Sequence, residues 1–120
     1  MLVAFQRTHP ELFALWLKDS IDIDYAKPLS SLVTGVGADQ LPTGRLRKEF
    51  LQLTGCSALE YLTRRRVDVA MGMLRMSDDK MEIIARAVGW KSPKDLYRAV
   101  YDSTGKTPAE VRSESAGAVR

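Results

Sequence analysis

The sequence predicts an all-α fold, and three observations lead to that prediction. Apolar residues recur at the i, i+3, i+4 and i+7 spacing of one helix face in residues 29–36 and again in residues 81–88. A capping box, in which Ser, Thr or Asp is followed three residues later by Glu, opens four segments, which begin at Thr8, Ser57, Asp79 and Thr107. No segment reads as a convincing strand, because the alternation of Ile21, Ile23 and Tyr25 has no neighbouring strand to pair with.

The first predicted helix spans about 9–19. The capping box formed by Thr8 and Glu11 marks its start. Its apolar face is predicted to consist of Leu12, Leu15 and Trp16. Residues 19–27 are acidic and mixed in character, so we expect them to form a loop that packs on the core.

A first helix-turn-helix unit is predicted over 29–54. Its first helix ends at Gly37, because glycine readily adopts the left-handed conformation found at helix ends. Its second helix stops at Gly55 and turns three apolar residues inward: Leu46, Phe50 and Leu53. A long linker helix over 57–76 follows, and its predicted inward residues are Leu59, Leu62, Ala70, Met73 and Leu74.

A second helix-turn-helix unit is predicted over 81–104. Gly89 ends its first helix, and Trp90 fills the turn as an apolar wedge. Ser92 caps the second helix, and Pro93 stands at the first helical position, where its missing N–H costs nothing. The predicted inward residues of this helix are Leu96, Ala99 and Val100, and the outward ones are Lys94, Tyr97 and Arg98. A tight turn followed by a helix with long polar donors is the arrangement that reads a DNA major groove.

The sequence repeats itself at a separation of about 50 residues. RLRKEFLQLTGCSALE (45–60) aligns with DLYRAVYDSTGKTPAE (95–110), so the core positions, the glycine that ends the helix and the next cap all recur. The linker helix of about 20 residues spans roughly 30 Å. Since one turn of B-DNA is about 34 Å, this spacer is expected to place two reading helices in successive major grooves.

Composition fits an anionic partner and argues against several other classes. The formal net charge is +3; residues 1–42 hold three basic and five acidic residues, so residues 43–120 hold the other 15 basic and 10 acidic ones. The single cysteine, Cys56, excludes an internal disulfide and fits a reducing cytosol, so we expect a cytoplasmic protein. With His9 as the one histidine, we expect no metal, no cofactor and no catalysis. No apolar run is long enough to cross a bilayer.

The predicted elements together resemble the DNA-binding domain of the AraC/XylS family of bacterial transcription regulators. The matching residues lie within about 29–112 and are Phe50, Gly55, Glu60, Tyr61, Leu62, Arg66, Ala70, Leu74, Ile84, Ala85, Gly89, Arg98, Gly105, Thr107, Pro108 and Arg112. The resemblance implies a seven-helix, homeodomain-like bundle that binds asymmetric promoter sites in double-stranded DNA as a transcription factor. It also implies RNA polymerase as a second partner of an activator, and a monomeric isolated domain.

The resemblance also assigns site residues by motif position. Base-reading residues are expected early in the second helix of each unit: Gly44, Arg45, Arg47 and Lys48 in the first, and Pro93, Lys94, Asp95, Tyr97 and Arg98 in the second. Phosphate contacts are expected from Thr43, Lys91 and Ser92. Because Gly44 presents nothing to a base, we expect the second unit, or Arg47 and Lys48 alone in the first, to carry more of the specificity.

Several of these side chains have more than one interpretation. Arg47 and Arg98 can each form two hydrogen bonds to a guanine edge, contact phosphate or remain solvated surface charges. Asp95 can accept from a cytosine amino group or stabilise the start of its helix. Tyr97 can touch a thymine methyl group, contact a phosphate or cover the helix flank. The arginines at 64–66 spread over about 200° of a helix, so they cannot all face DNA.

We predict one DNA-binding domain over 1–120, with a last short helix that starts at Thr107 and ends near Arg112 and a flexible tail over 113–120. There is no room for a sensor domain, so the chain is expected to be a free-standing short regulator or the C-terminal fragment of a longer one. The alternative function is a helix-turn-helix module that binds a protein partner and not DNA.

Overall fold

The computed structural model describes residues 10–32 and 44–119, and all regular structure in these ranges is helical. The helices are α1 (Pro10–Ile23), α2 (Leu29–Leu32), α3 (Gly44–Thr54), α4 (Ala58–Met76), α5 (Met81–Val88), α6 (Pro93–Thr104) and α7 (Pro108–Val119). This confirms the all-α fold class. Thr8, Gly37 and Thr43 lie outside the described residues, so the predictions made for them, and the total number of helices, stay predictions.

The chain forms two compact units, residues 1–62 and residues 63–120. The core of the first unit comes from α1, α2, α3 and the start of α4, and it consists of Phe13, Ala14, Leu17, Ile21, Leu32, Leu46, Phe50, Ala58 and Leu62. Tyr61 covers one side of this core, where its ring meets the Phe50 ring edge-on at a centroid distance of 5.8 Å and an angle of 84°. Such edge-on aromatic contacts add to the stabilisation that burial alone provides.

Helix α1 differs from the prediction in both its buried face and its end. The three residues predicted to face the core are exposed: Leu12 at 49%, Leu15 at 45% and Trp16 at 39%. The buried stripe has equally good helical spacing and consists of Phe13, Ala14, Leu17 and Ile21. Because Ile21 continues this stripe, α1 extends to Ile23, and residues 19–23 are helical rather than part of the predicted loop.

Two leucines that were predicted to face inward are exposed. Leu53 lies on the solvent side of α3, whose buried residues are Leu46 and Phe50. Leu59 is exposed at the start of α4, whereas Val67, which was not among the predicted inward residues, is buried. A residue at the edge of an apolar stripe is buried only where another element packs over it, and spacing alone cannot show this. The predicted burial in α4 is confirmed for Leu62, Ala70 and Leu74.

In the second unit, α5 and α6 bury the side chains of Ile84, Ala85, Val88, Leu96 and Val100. Gly89 ends α5 in the left-handed conformation, with φ of +106°, and the N–H of Trp90 donates to the carbonyl of Ala85 at 2.8 Å. The start of α5 differs from the prediction. Lys80 occupies the N-cap position and no side chain caps the helix, so Asp79 does not form the expected capping box.

Arg112 connects α7 with the end of α4 and the following turn. Its Nε donates to the carbonyl of Leu74 at 3.3 Å, and its Nη2 donates to the carbonyl of Asp79 at 2.8 Å. The last carbonyls of a helix lack intrahelical partners, so the guanidinium supplies donors that α4 itself cannot. Helix α7 continues to Val119, beyond the end predicted near Arg112, because residues 113–119 contain no proline to stop it.

Candidate nucleic-acid interface

The internal repeat corresponds to a repeated local structure where α3 and α6 end. The Thr54 hydroxyl donates to the carbonyl four residues earlier at 2.9 Å and accepts from the N–H two residues later at 3.3 Å. Thr104 makes the equivalent two hydrogen bonds at 2.8 and 3.1 Å. A left-handed glycine follows each threonine, with φ of +82° at Gly55 and +75° at Gly105. Both helices therefore end in the same way, in the conformation that glycine adopts most easily.

A capping box follows each of these helix ends. The Ser57 hydroxyl accepts from the N–H of Glu60 at 3.1 Å, and the Thr107 hydroxyl accepts from the N–H of Glu110 at 3.1 Å. Each hydroxyl also lies 3.2 Å from a carboxylate oxygen of its glutamate. These two predicted caps are confirmed. We refer to residues 54–60 and 104–110 as the two corners; their matching hydrogen bonds make positions 50 apart in α3 and α6 equivalent.

Ser92 caps α6 as predicted. Its Oγ accepts from the N–H of Asp95 at 3.4 Å and donates to the Asp95 carboxylate at 3.3 Å, and Pro93 opens the helix. Asp95 thus holds its negative charge in the first turn, where the helix dipole is positive. These contacts favour the capping interpretation of Asp95 over contact with cytosine. They also engage the Ser92 hydroxyl, which was expected to contact phosphate.

The outward face of α6 carries long side chains close to this capped N-terminus. Lys94, Tyr97 and Arg98 are exposed, as is Lys91 in the preceding turn. The opposite face of the helix is buried in the core of the second unit. The arrangement offers three cations and a phenol ring to a partner, together with the partly positive end of the helix.

Helix α3 exposes a different set of side chains at the equivalent positions. Arg45, Arg47 and Lys48 are exposed, while Leu46 between them is buried. Gly44 starts the helix with φ of +54° and offers no side chain. The first turns of α3 therefore present three cations and no aromatic ring.

Tyr101 also belongs to the outward face of α6, although it was not among the predicted site residues. The rings of Tyr97 and Tyr101 stack with their centroids 6.1 Å apart and an interplanar angle of 7°. The two side chains are 50% and 49% exposed. The i, i+4 spacing from Tyr97 was the signal in the sequence that pointed to this contact.

The arginines at 64–66 do not form one surface. Arg64 is exposed, whereas Arg65 and Arg66 are half-buried. Removal from water lowers the pKa of the Arg66 guanidinium. This agrees with the prediction that three consecutive helical residues point in different directions. Within residues 10–32 and 44–119, no three His, Cys, Asp or Glu residues are grouped so that they could hold a metal ion. In the same ranges, no helix is both long and apolar enough to span a bilayer.

Residues 40–114 match the sequence pattern of a family described as a helix-turn-helix domain, and the match covers more than half of the chain. The chain belongs to this family, in its AraC type. It is therefore a DNA-binding domain of the kind found in transcription regulators. Comparison with curated protein sequences gives no match.

Three solved structures have the same fold as this chain. A probable AraC family transcriptional regulator from Rhodopseudomonas palustris CGA009 aligns with a TM-score of 0.63 and 19% identity, over 85% of this chain and 95% of that one. The C-terminal domain of AraT, a response regulator from Geobacillus stearothermophilus, aligns with a TM-score of 0.70 and 21% identity, over 84% of each chain. The DNA-binding domain of AdpA, a global transcriptional factor solved in complex with a target DNA, aligns with a TM-score of 0.65 and 22% identity, over 88% and 91%.

Proposed function

We propose that this domain recognises a specific double-stranded promoter sequence by placing the N-terminal half of α6 in a major groove, with α3 as a second, less discriminating reading helix. The observation that carries the proposal is the outward face of α6, where Lys94, Tyr97 and Arg98 are exposed beside a capped N-terminus. The major groove admits an α-helix and displays a different pattern of donors and acceptors for each base pair. The solved complex of the AdpA domain with its target DNA supports the proposal, because that domain shares this fold.

The proposed roles follow from the chemistry of each side chain. The Arg98 guanidinium offers two parallel donors, which match the O6 and N7 acceptors of guanine. Lys94 and Lys91 are compact charges that suit either a base acceptor or a phosphate oxygen. Pro93 and Asp95 are proposed to shape and stabilise the start of α6 close to the bases.

Helix α3 is proposed to contribute chiefly through charge. Arg45, Arg47 and Lys48 extend into solvent from one short stretch of helix, and cations in such a cluster neutralise phosphates and release bound counterions. Arg47 and Lys48 are also proposed to reach base edges. The helix-turn-helix units, 29–54 and 81–104, are then proposed to read DNA segments centred about one helical turn apart. We further propose a monomeric isolated domain, and RNA polymerase as the second partner of an activator.

Selection of bound sequences from a random duplex pool tests the proposed function. A short consensus is expected, and affinity for it should fall linearly with salt on a log–log scale because each neutralised phosphate releases counterions. A footprint on the selected duplex should show two protected blocks. If titrations at low and high salt both show no binding, the chain is a protein-interaction module and the proposal fails.

The variant Arg98→Ala tests the residue assignment. We expect it to lose about 1–3 kcal/mol of discrimination at one or two base pairs, measured as relative affinities for single-base variants of the selected site. The control is Arg86→Ala on α5, which removes the same charge from an exposed arginine that pairs with Glu82 at 3.0 Å. The control should keep the wild-type sequence preference. Unchanged preference in Arg98→Ala would show that Arg98 reads no base.

A further inference from the structure

The stacked pair Tyr97 and Tyr101 is the feature of α6 that the proposed function does not yet explain. The rings lie 6.1 Å apart with their planes only 7° from parallel. Both side chains are about half exposed, at 50% and 49%, so neither ring is there to fill the core. Two adjacent, half-exposed rings on the outward face of a helix form an aromatic surface that a binding partner can cover.

The geometry of a helix explains how one ring orients the other. Side chains on a helix tilt towards its N-terminus, so a residue covers the turn that precedes it. Tyr101 therefore lies over the turn that carries Tyr97, and the contact between the two nearly parallel rings restricts the motion of the Tyr97 ring. The Tyr97 side chain shares the exposed face of α6 with Lys94 and Arg98. Because its freedom is already restricted in the unbound protein, less side-chain entropy is lost on binding.

We propose that Tyr101 positions Tyr97 as an apolar contact for the 5-methyl group of a thymine in the major groove. The inference rests on the proposed function and deepens it. The thymine methyl is the one apolar group that the four natural bases display in that groove. The neighbouring Lys94 and Arg98 supply hydrogen-bond donors but no apolar surface. A ring face at Tyr97 therefore adds recognition of a methyl group to a helix whose other outward residues read acceptors.

The test replaces thymine by deoxyuridine, which removes only the methyl group, at each thymine of the selected duplex in turn. One position, within the segment protected by α6, should lose affinity by about threefold to fourfold, the factor expected when one buried carbon is lost. Tyr97→Ala should bind the thymine and deoxyuridine duplexes equally well. Tyr97→Phe keeps the ring face and should retain the wild-type preference, whereas a hydroxyl contact to phosphate would be lost in this variant.

Two substitutions separate the positioning role of Tyr101 from a merely structural one. Tyr101→Ala should weaken binding to the thymine duplex by roughly twofold to tenfold, the range for ordering one side chain, and should reduce the thymine preference. Tyr101→Phe keeps the stacked ring and should restore both. Circular dichroism should show the same helix content in all variants.

The possible failures can be told apart. If wild-type protein binds every deoxyuridine duplex as tightly as the thymine duplex, or if the selected site has no thymine in the α6 segment, the methyl contact is wrong while sequence-specific binding stands. If Tyr101→Phe and Tyr101→Ala behave alike, the ring of Tyr101 does not position Tyr97. If no duplex is selected, both this inference and the proposed function fail.

Discussion

Helices α3 and α6 are built alike but expose different chemistry. The two corners share their threonine hydrogen bonds, their left-handed glycine and their capping box. On the outward faces the equivalent residues are Arg47 and Tyr97, Lys48 and Arg98, and Leu51 and Tyr101. The hydrogen bonds that shape each corner involve backbone atoms and a few small side chains, so outward residues can change without disturbing them. The repeat therefore preserves what folds each unit and leaves the contact surface free to differ.

The units also differ in a polar contact that holds each one together. In the first unit, the Tyr61 hydroxyl donates to Asp22 at 2.6 Å, and the Lys18 ammonium lies 3.0 Å from the same carboxylate. In the second unit, Arg112 donates to two backbone carbonyls of distant residues. The first contact depends on an ionisable phenol and an ammonium group, whereas the second joins a guanidinium to backbone carbonyls. Similar packing is thus combined with different polar chemistry.

The largest expected difference between the units concerns their cores. Phe50 and Val100 occupy equivalent positions and are fully buried. Phe50→Ala should lower the free energy of unfolding by about 3–5 kcal/mol, whereas Val100→Ala removes two carbons and should cost roughly 2 kcal/mol. Urea unfolding followed by circular dichroism measures both. The control Leu51→Ala, at an exposed position of α3, should change stability by less than about 0.5 kcal/mol. A greater loss for Val100→Ala would refute this ranking.

A smaller effect tests whether the corners are energetically equivalent. Thr54→Val and Thr104→Val keep the shape of the side chain but remove the hydroxyl that donates to a carbonyl and accepts from an N–H. Each variant should lose about 1–2 kcal/mol of stability, because two hydrogen bonds are removed and each usually contributes about 1 kcal/mol. The same urea titration applies. If one variant is as stable as the wild type while the other is not, the corners match in geometry only.

The smallest expected effect is the loss of folding stability at alkaline pH that comes from the contact of Tyr61 and Lys18 with Asp22 in the first unit. Burial, followed by the hydrogen bond to Asp22, raises the pKa of Tyr61, and the hydrogen bond to Asp22 raises the pKa of Lys18. A group with a higher pKa in the folded chain holds its proton more tightly there. Its stabilisation is therefore complete below the ordinary tyrosine pKa of about 10 and is lost as the pH rises through the folded value.

Tyr61→Phe removes one of these groups and tests the sign of the effect. The free energy of unfolding of the wild type should fall more steeply above about pH 10 than that of the variant. Arg112→Gln, in the second unit, is the comparison variant, because it should lower stability without adding a group that titrates near pH 10 and without removing the contact at Tyr61. Parallel pH profiles for wild type and Tyr61→Phe would mean that this contact contributes nothing to the pH dependence.

The candidate site was predicted from sequence in its positions but not in its internal contacts. The start of α6 at Pro93 and the exposure of Lys94, Tyr97 and Arg98 follow from spacing and capping, which are local properties. The contact between Tyr97 and Tyr101 was not predicted, because the family resemblance assigns site residues only to the first turns of the helix. The hydrogen bonds between Ser92 and Asp95 favoured one of two roles that the sequence left open.

By itself the sequence determined that the chain is helical, where most helices start and stop, and that one unit repeats. These properties depend on interactions within a few residues, such as the cap at Ser57 and the left-handed glycines at Gly55 and Gly105. Only the tertiary structure decided which of two apolar stripes α1 buries and that this helix extends to Ile23. It also decided the partners of Arg112, which lie 38 and 33 residues away in the chain. An apolar stripe can pack against several different elements, and a guanidinium can donate to several different acceptors. Which of these contacts forms therefore depends on the elements that the fold brings next to them.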